Sequence, residues 1–497
     1  MVAVPIAQFA PDLPELSSGS AIVLNVVPRT KDSYGPLAAL NPYADALSSD
    51  VIGAIALEDT SLQTYIFAGT ATKLWKIAGA ATSFTDVSGA TYTTGQGEYW
   101  RFAQYKDLVV ATNFDDKIQV FDLSSSTTFT DLASAAPHSR FIMVLKGFVV
   151  VANTSDAVGG SLPMRCWWSA YNDPTNWPTP GSALAQQTQS DYNDIVGPMG
   201  AITGLVSNLG GADGAVFFER GVMRMIYQGP PAVFGFYPAE GVRGCNASNS
   251  IVQVGPVVYY LGEDGFYVFD GTSSQPIGVQ RVDRWFFSNV DQTHLDKVIG
   301  AVDAINKIVF WIFPSIGSSN GVCDTVLLYN WAIDRWSYGS MSTDWVFRAL
   351  SFGKTLEDLD VYGALESVPY SLDSRAWIGG QLQLAAFNAA HELSYFQGNN
   401  LAAEVATSEA QLFPGKRSWV NSIRPLIDGG TPTLSVWQRQ TLIEAQSFGP
   451  QVAVNAMGEC PQRSEGRYVG AVMRTTDGDV WDHFMGVDVT ASQAGWF

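Results

Sequence analysis

Two short stretches combine the residue types that a sugar-binding or acid-base site would use. Asp173-Pro174-Thr175-Asn176-Trp177 and Ala332-Ile333-Asp334-Arg335-Trp336-Ser337 each place an indole beside a carboxylate. An indole face with a polar edge can cradle a saccharide. The same residues also suit a purely architectural use, which is the stronger reading. Asp173-Pro174 and Asp334 fit turns, while Trp177, Trp331 and Trp336 have the bulk to plug gaps between sheets.

Other chemical signatures are incomplete. A propeller glycosidase of the sialidase kind needs S-x-D-x-G-x-T-W turns, and Ser83–Tyr92 (SFTDVSGATY) has its Asp and Gly at the wrong spacing. Nothing marks a pair of carboxylates converging across a cleft. The four histidines, His138, His294, His391 and His483, show neither H-x-x-x-H nor H-E-x-x-H spacing. Asp477, Asp479 and Asp482 depart from a calcium-loop pattern, and a hairpin turn at Asp477-Gly478 is the expectation. Ser351–Lys354 matches S-x-x-K without its partner motifs, and no phosphate-binding Gly-rich loop is present. These readings predict no catalytic residue, no metal and no cofactor. The sequons at Asn153 and Asn246 carry little weight in a chain without an export signal.

Composition points to sheets. Of 497 residues, 12% are aromatic and only 15% charged, with 47 glycines, which favours short strands and tight turns over helices. Lys plus Arg total 28 against 47 Asp plus Glu, a net charge of −19. Such a surface repels phosphate, which argues against sequence-specific nucleic-acid binding but suits a wall that duplex DNA must slide past. Cys166, Cys245, Cys323 and Cys460 lie far apart, as expected of buried free thiols. The first residues lack the basic flank and apolar run of a secretory signal, so synthesis without export is expected. The longest apolar stretch, Phe141–Ala152, contains Lys146 and is too short to span a bilayer.

What must position these residues is a repeated hairpin. A β-branched run, a turn and an alternating run recur at Thr64–Ile77, Asp107–Asp122, Gly147–Ala170, Ala215–Tyr227, Val257–Gly271 and Lys307–Trp331. The copies return every 40–65 residues or so, roughly the length of a four-stranded propeller blade. Triplets such as FDD, ERG and EDG supply the turns. The rhythm changes beyond about Asp373. The fold expected is all-β: an N-terminal arm and closing strand over 1–50, a β-propeller with irregular blades over 51–375, and over 376–497 a C-terminal β-sandwich-like or platform region, or a last blade plus platform.

Several segments together resemble the β-propeller tail hub and nozzle proteins of short-tailed bacteriophages, also called packaged-DNA stabilisation proteins. They are Asn25–Leu37, Trp100–Asp122, Trp167–Trp177, the stretch from Glu219 through GPPAVFGF, GVRGCNASNSIV, LGEDGFYVFDG, RVDRWFF ending at Phe287, Tyr329–Ser337 and the terminal GRYVGAVMRTTDGDVWDHFMGVDV. Trp100, Asp173, Pro174, Trp177, Trp285, Trp331, Asp334 and Trp336 form the structural signature within them. The resemblance implies a non-catalytic subunit of a virion tail, assembled in the host cytoplasm into a homohexameric ring below the portal-adaptor ring. It implies contact with tail fibre, spike or needle proteins, and double-stranded DNA retained and then passing non-specifically through the ring. Arg220, Arg224, Arg281 and Arg284, with Lys416 and Arg417 in the same basic group, are candidates for subunit contacts. The rival expectation is a receptor-binding or glycan-degrading tail propeller, with saccharide pockets near Trp177 or Trp336.

Overall fold

The computed structural model describes residues 2–495 apart from 15, 16, 18, 80, 158, 211, 212, 353–359, 361, 362 and 364–379. Lys354 and the junction at 375/376 therefore lie outside the described residues. Strands dominate, and among the described residues the two short α-helices are Ala183–Thr188 and Asp283–Asn289.

Six antiparallel four-stranded units follow one another along the chain. They begin with the inner strands Ala54–Glu58, Arg101–Tyr105, His138–Leu145, Ile202–Leu209, Val252–Val254 and Ile299–Asp303. Each recurring hairpin of the sequence is the second and third strand of one such blade. The second strands are the most buried, and Thr64–Gly69 and Ile308–Phe313 are buried along their whole length. They lie inside a blade with a neighbouring blade on either face, which is why they read as continuous apolar runs rather than alternating ones. Apolar layers fill the spaces between neighbouring blades. Phe67 and Trp100 share the layer between the first two blades, and Ala103 of the second and Trp167 of the third share the next.

A seventh blade closes the ring, and three separate parts of the chain build it. The 16-residue strand Arg335–Leu350 is the outermost strand of the sixth blade as far as Thr343, paired with Cys323–Asn330. From Thr343 onward it pairs with Leu382–Asn388 and becomes the innermost strand of the seventh blade. Leu393–Tyr395 follows, and Asn41–Pro42 from the N-terminal segment pairs outside it. Ring closure thus uses both ends of the propeller sequence. Two strands of the propeller's last blade lie at 382–395.

The remaining strands form a β-sandwich. One sheet runs Cys460–Gly466, Arg417–Ile427, Phe484–Ala494, Ser33–Pro36, Val26–Thr30, with Val2–Pro5 also paired to Phe484–Ala494. The other contains Val23–Leu24, Glu404–Ala406, Tyr468–Arg474 and Thr433–Arg439. The N-terminal arm is therefore an integral part of the sandwich. The sandwich core is continuous with the fifth and sixth blades: Val4, Val436 and Phe484 share one apolar cluster with Phe266, Trp311 and Trp336. Asn25 helps to weld the junction, its backbone in the left-handed region. Its side chain donates to the Ala402 carbonyl at 2.8 Å and accepts the Ser340 N–H at 2.9 Å.

Candidate functional site: the axial cavity and its mouth

The inner strands surround an axis occupied by three polar recesses. One of about 430 Å³ is lined by Arg101–Gln104, Phe141–Val144 and Gly204–Asn208. A second, about 600 Å³, lies against Ile299–Val302 and Trp345–Arg348. The third, about 370 Å³, sits at the mouth where connections enter the inner strands, bordered by Glu98, Tyr99, Asn153, Thr203 and Asp296. Arg101 lines all three.

The ionisable groups at the mouth are tied to one another. Arg140 donates to Glu98 through Nε at 2.9 Å and Nη2 at 2.6 Å. Burial nevertheless holds the Glu98 carboxyl above its ordinary range, outweighing that hydrogen bond. The Tyr99 hydroxyl donates to Asp296 at 2.7 Å. Arg101 donates to Ser248 Oγ at 3.2 Å and to Asn249 Oδ1. Burial pushes its guanidinium down to about 10, so it stays protonated at neutral pH. Glu98 and Asp296 are thus each engaged by a neighbour, and Glu219 borders the same recess. Asn153 Oδ1 and Thr203 Oγ1 are buried without a protein partner. Their chemistry suits a water or another small polar guest.

The signature tryptophans are packing elements. Trp100 is 1% exposed, donates from Nε1 to the Thr70 carbonyl at 2.9 Å and meets Tyr92 edge-on. A Cβ on Gly69 would come within 2.3 Å of its ring, so glycine is what lets the indole seat. Trp177 donates to the Pro174 carbonyl at 2.8 Å inside the layer between the second and third blades. Asp173 closes an Asx turn by accepting from the Thr175 N–H and hydroxyl. Trp336, also 1% exposed, stacks on Trp311 with ring centroids 5.9 Å apart. Trp331 leans on Tyr259, and Trp285 meets Phe9 edge-on. Trp177 and Trp336, where the rival reading places saccharide pockets, are 4% and 1% exposed and packed inside apolar layers.

The candidate contact arginines divide in two. Arg281 binds Asp334 bidentately at 2.6 and 2.8 Å, and Arg224 is paired with Asp213. Arg220 is exposed and donates to the Pro198 carbonyl at 3.1 Å. Arg284 is exposed, with no side-chain acceptor among the described residues; its backbone N–H donates to Asp12. Arg417 faces Glu465 at 3.3 Å and Lys416 donates to Gln493. The turn holding Asp477 and Asp479 links strands of the two different sandwich sheets, so it is not the expected hairpin. Asp477 accepts the Ala402 N–H, and Asp479 accepts from Thr431. The four cysteines are free and buried. No helix is long and apolar enough to cross a membrane among the described residues.

Sequence reasoning did not single out Arg101, Thr203 or the cluster of Asp50, Asp344 and His391 at the ring closure. Arg101 opens an inner strand and so faces the axis, a placement that only the order of strands within a blade could have signalled.

No family model matches the sequence, and no curated protein is similar to it. Solved structures similar to this chain include one described as "Crystal Structure of Mitotic Checkpoint Complex", with a TM-score of 0.37, 7% identity, and coverage of 74% of this chain and 95% of that one. Another, "YCF48 bound to D1 peptide", has a TM-score of 0.38 and 9% identity, covering 72% of this chain and 97% of that one.

Proposed function

We propose that the protein is a structural subunit of the tail hub or nozzle of a short-tailed bacteriophage, acting through shape and assembly. The observation that carries this reading is where the tail-like motifs lie. Their tryptophans pack blade against blade and blade against sandwich. A virion part that must keep its form under the pressure of packaged DNA needs packing of this kind. Copies of the chain form a sixfold ring by head-to-tail contacts. Loops at one end meet the portal-adaptor ring, and those at the other meet fibre, spike or needle proteins.

The axial recesses have the size of small-ligand pockets, a few hundred cubic ångströms each. A duplex therefore passes between subunits, along a wall contributed by each copy, rather than through one propeller. The net charge of −19 favours non-adhesive passage along that wall.

The test is electron microscopy of particles carrying this chain, labelled with antibody against it. Label in a ring on the tail axis is the expected result. Label on peripheral fibres would move the protein to receptor recognition, and absence from the particle would remove the tail role.

A further inference from the structure

The ring closure carries a cluster that packing alone does not require. Asp50 lies just past the closing strand, Asp344 at the passage between the sixth and seventh blades, and His391 in the turn of the last hairpin. His391 Nδ1 stands 2.6 Å from Asp344 Oδ2, and Nε2 faces Asp50 Oδ1 at 3.6 Å. One donor atom from each of the three residues falls within 4.8 Å of the others.

We propose that His391 Nε2 and Asp50 are the protein ligands of a divalent cation of the zinc class, which clasps the N-terminal segment to the seventh blade. The two contacts of the imidazole have different characters. At 2.6 Å the Asp344 carboxylate is placed to accept an Nδ1–H, and in that tautomer the Nε2 lone pair is directed at Asp50. At 3.6 Å the second contact is too long for a hydrogen bond. It is close to the separation of about 3.4 Å that two ligands with zinc–nitrogen and zinc–oxygen bonds of ~2.1 Å adopt at a tetrahedral centre. A carboxylate behind a histidine that ligates metal is the usual device for setting its tautomer and ring orientation. Asp50 is 76% exposed at its side chain, so water completes the coordination shell and the cation exchanges with solvent.

The surrounding backbone shows what such a clasp would hold. The Leu47 N–H donates to the His391 carbonyl at 3.0 Å, and the Val51 N–H donates to Asp344 Oδ2 at 3.4 Å. Asn41–Pro42 makes a ladder of two residue pairs with Leu393–Tyr395. A cation bridging Asp50 and His391 adds a cross-link where this short ladder is weakest.

Zinc titration of the full chain by calorimetry at pH 7.5, with thermal unfolding in zinc and in EDTA, tests the proposal. One ion per chain and a melting point a few degrees higher in zinc are expected. Asp50→Asn and His391→Gln should each abolish both effects, while Asp344→Asn should weaken binding roughly tenfold or more. Asp50→Asn alters an exposed carboxylate, so the fold survives the change and the comparison stays valid. Uptake unchanged in Asp50→Asn and His391→Gln overturns the proposal. So does a wild-type chain indifferent to zinc and stabilised by the cluster only at acidic pH, which would make it a plain His–Asp ion pair.

Discussion

The Tyr34 hydroxyl donates to the Trp336 carbonyl at 3.0 Å and accepts the Phe9 N–H at 3.2 Å. One phenol thus joins the N-terminal arm, the sandwich and the sixth blade at a fully buried point. Burial pushes its hydroxyl up to about 12, so it remains a donor throughout the physiological range. Tyr34→Phe leaves a buried carbonyl and a buried N–H unpaired. It should destabilise the chain by about 1–3 kcal/mol in urea unfolding; an unchanged midpoint would show that water replaces the hydroxyl.

Trp100 tests the packing role of the signature residues. Trp100→Ala should cost about 3–5 kcal/mol, the range for deleting a large buried aromatic side chain. Gly69→Ala, which forces a Cβ against the same indole, should cost about 1–3 kcal/mol. Comparable stability of both variants and the wild type in denaturant titration would contradict the interlocked geometry.

Asp283 gives the protein a pH dependence. It starts the helix Asp283–Asn289 beneath Gly265 and Gly278, and its Oδ1 accepts the Phe266 N–H. Burial, with smaller repulsion from Asp12 and Asp264, raises its carboxyl from 3.8 to about 7. Between those values the folded chain keeps a proton that the unfolded chain releases, so this residue's contribution to stability falls as pH rises. Asp283→Asn should match the wild type near pH 3.5 and gain on it progressively up to pH 8. The ceiling on that gain is on the order of 4 kcal/mol. Urea midpoints for both chains across pH give the difference; parallel curves would refute the assignment.

The exposed arginines separate folding from assembly. Arg281 is held by Asp334 in a pair 30% and 54% exposed, so Arg281→Ala should change stability by less than about 1 kcal/mol. Arg284 has no side-chain acceptor among the described residues, so Arg284→Glu should leave the melting point unchanged while weakening ring formation. Analytical ultracentrifugation of purified chains or assembled tails measures the second effect. Normal rings would remove Arg284 from the subunit contact.

Deleting residues 2–45 should prevent recovery of a soluble monomer. The deletion removes the outermost strand of the seventh blade together with strands from both sandwich sheets. It exposes the edges of Leu393–Tyr395, Glu404–Ala406 and Phe484–Ala494 and the shared apolar core. A soluble, cooperatively melting product on size exclusion would show that the arm is dispensable.

Local pattern determined much of this protein. The burial of second strands between blades made them uninterrupted apolar runs, so six hairpins could be read directly, and with them the all-β class and the propeller. Residue type and turn context set the expectation that Trp177 and Trp336 plug gaps between sheets, and both are buried. The seventh blade stayed hidden because its strands come from 41–42, 343–350 and 382–395, and no contiguous stretch carries its repeat. The sandwich was equally split, since strands near Val4 and Val26 acquire their partners only from the last third of the chain. The mouth around Arg101 and the cluster of Asp50, Asp344 and His391 were decided by tertiary structure alone. Strand periodicity records which face of a residue is buried, whereas only closure of the ring determines which distant residues meet.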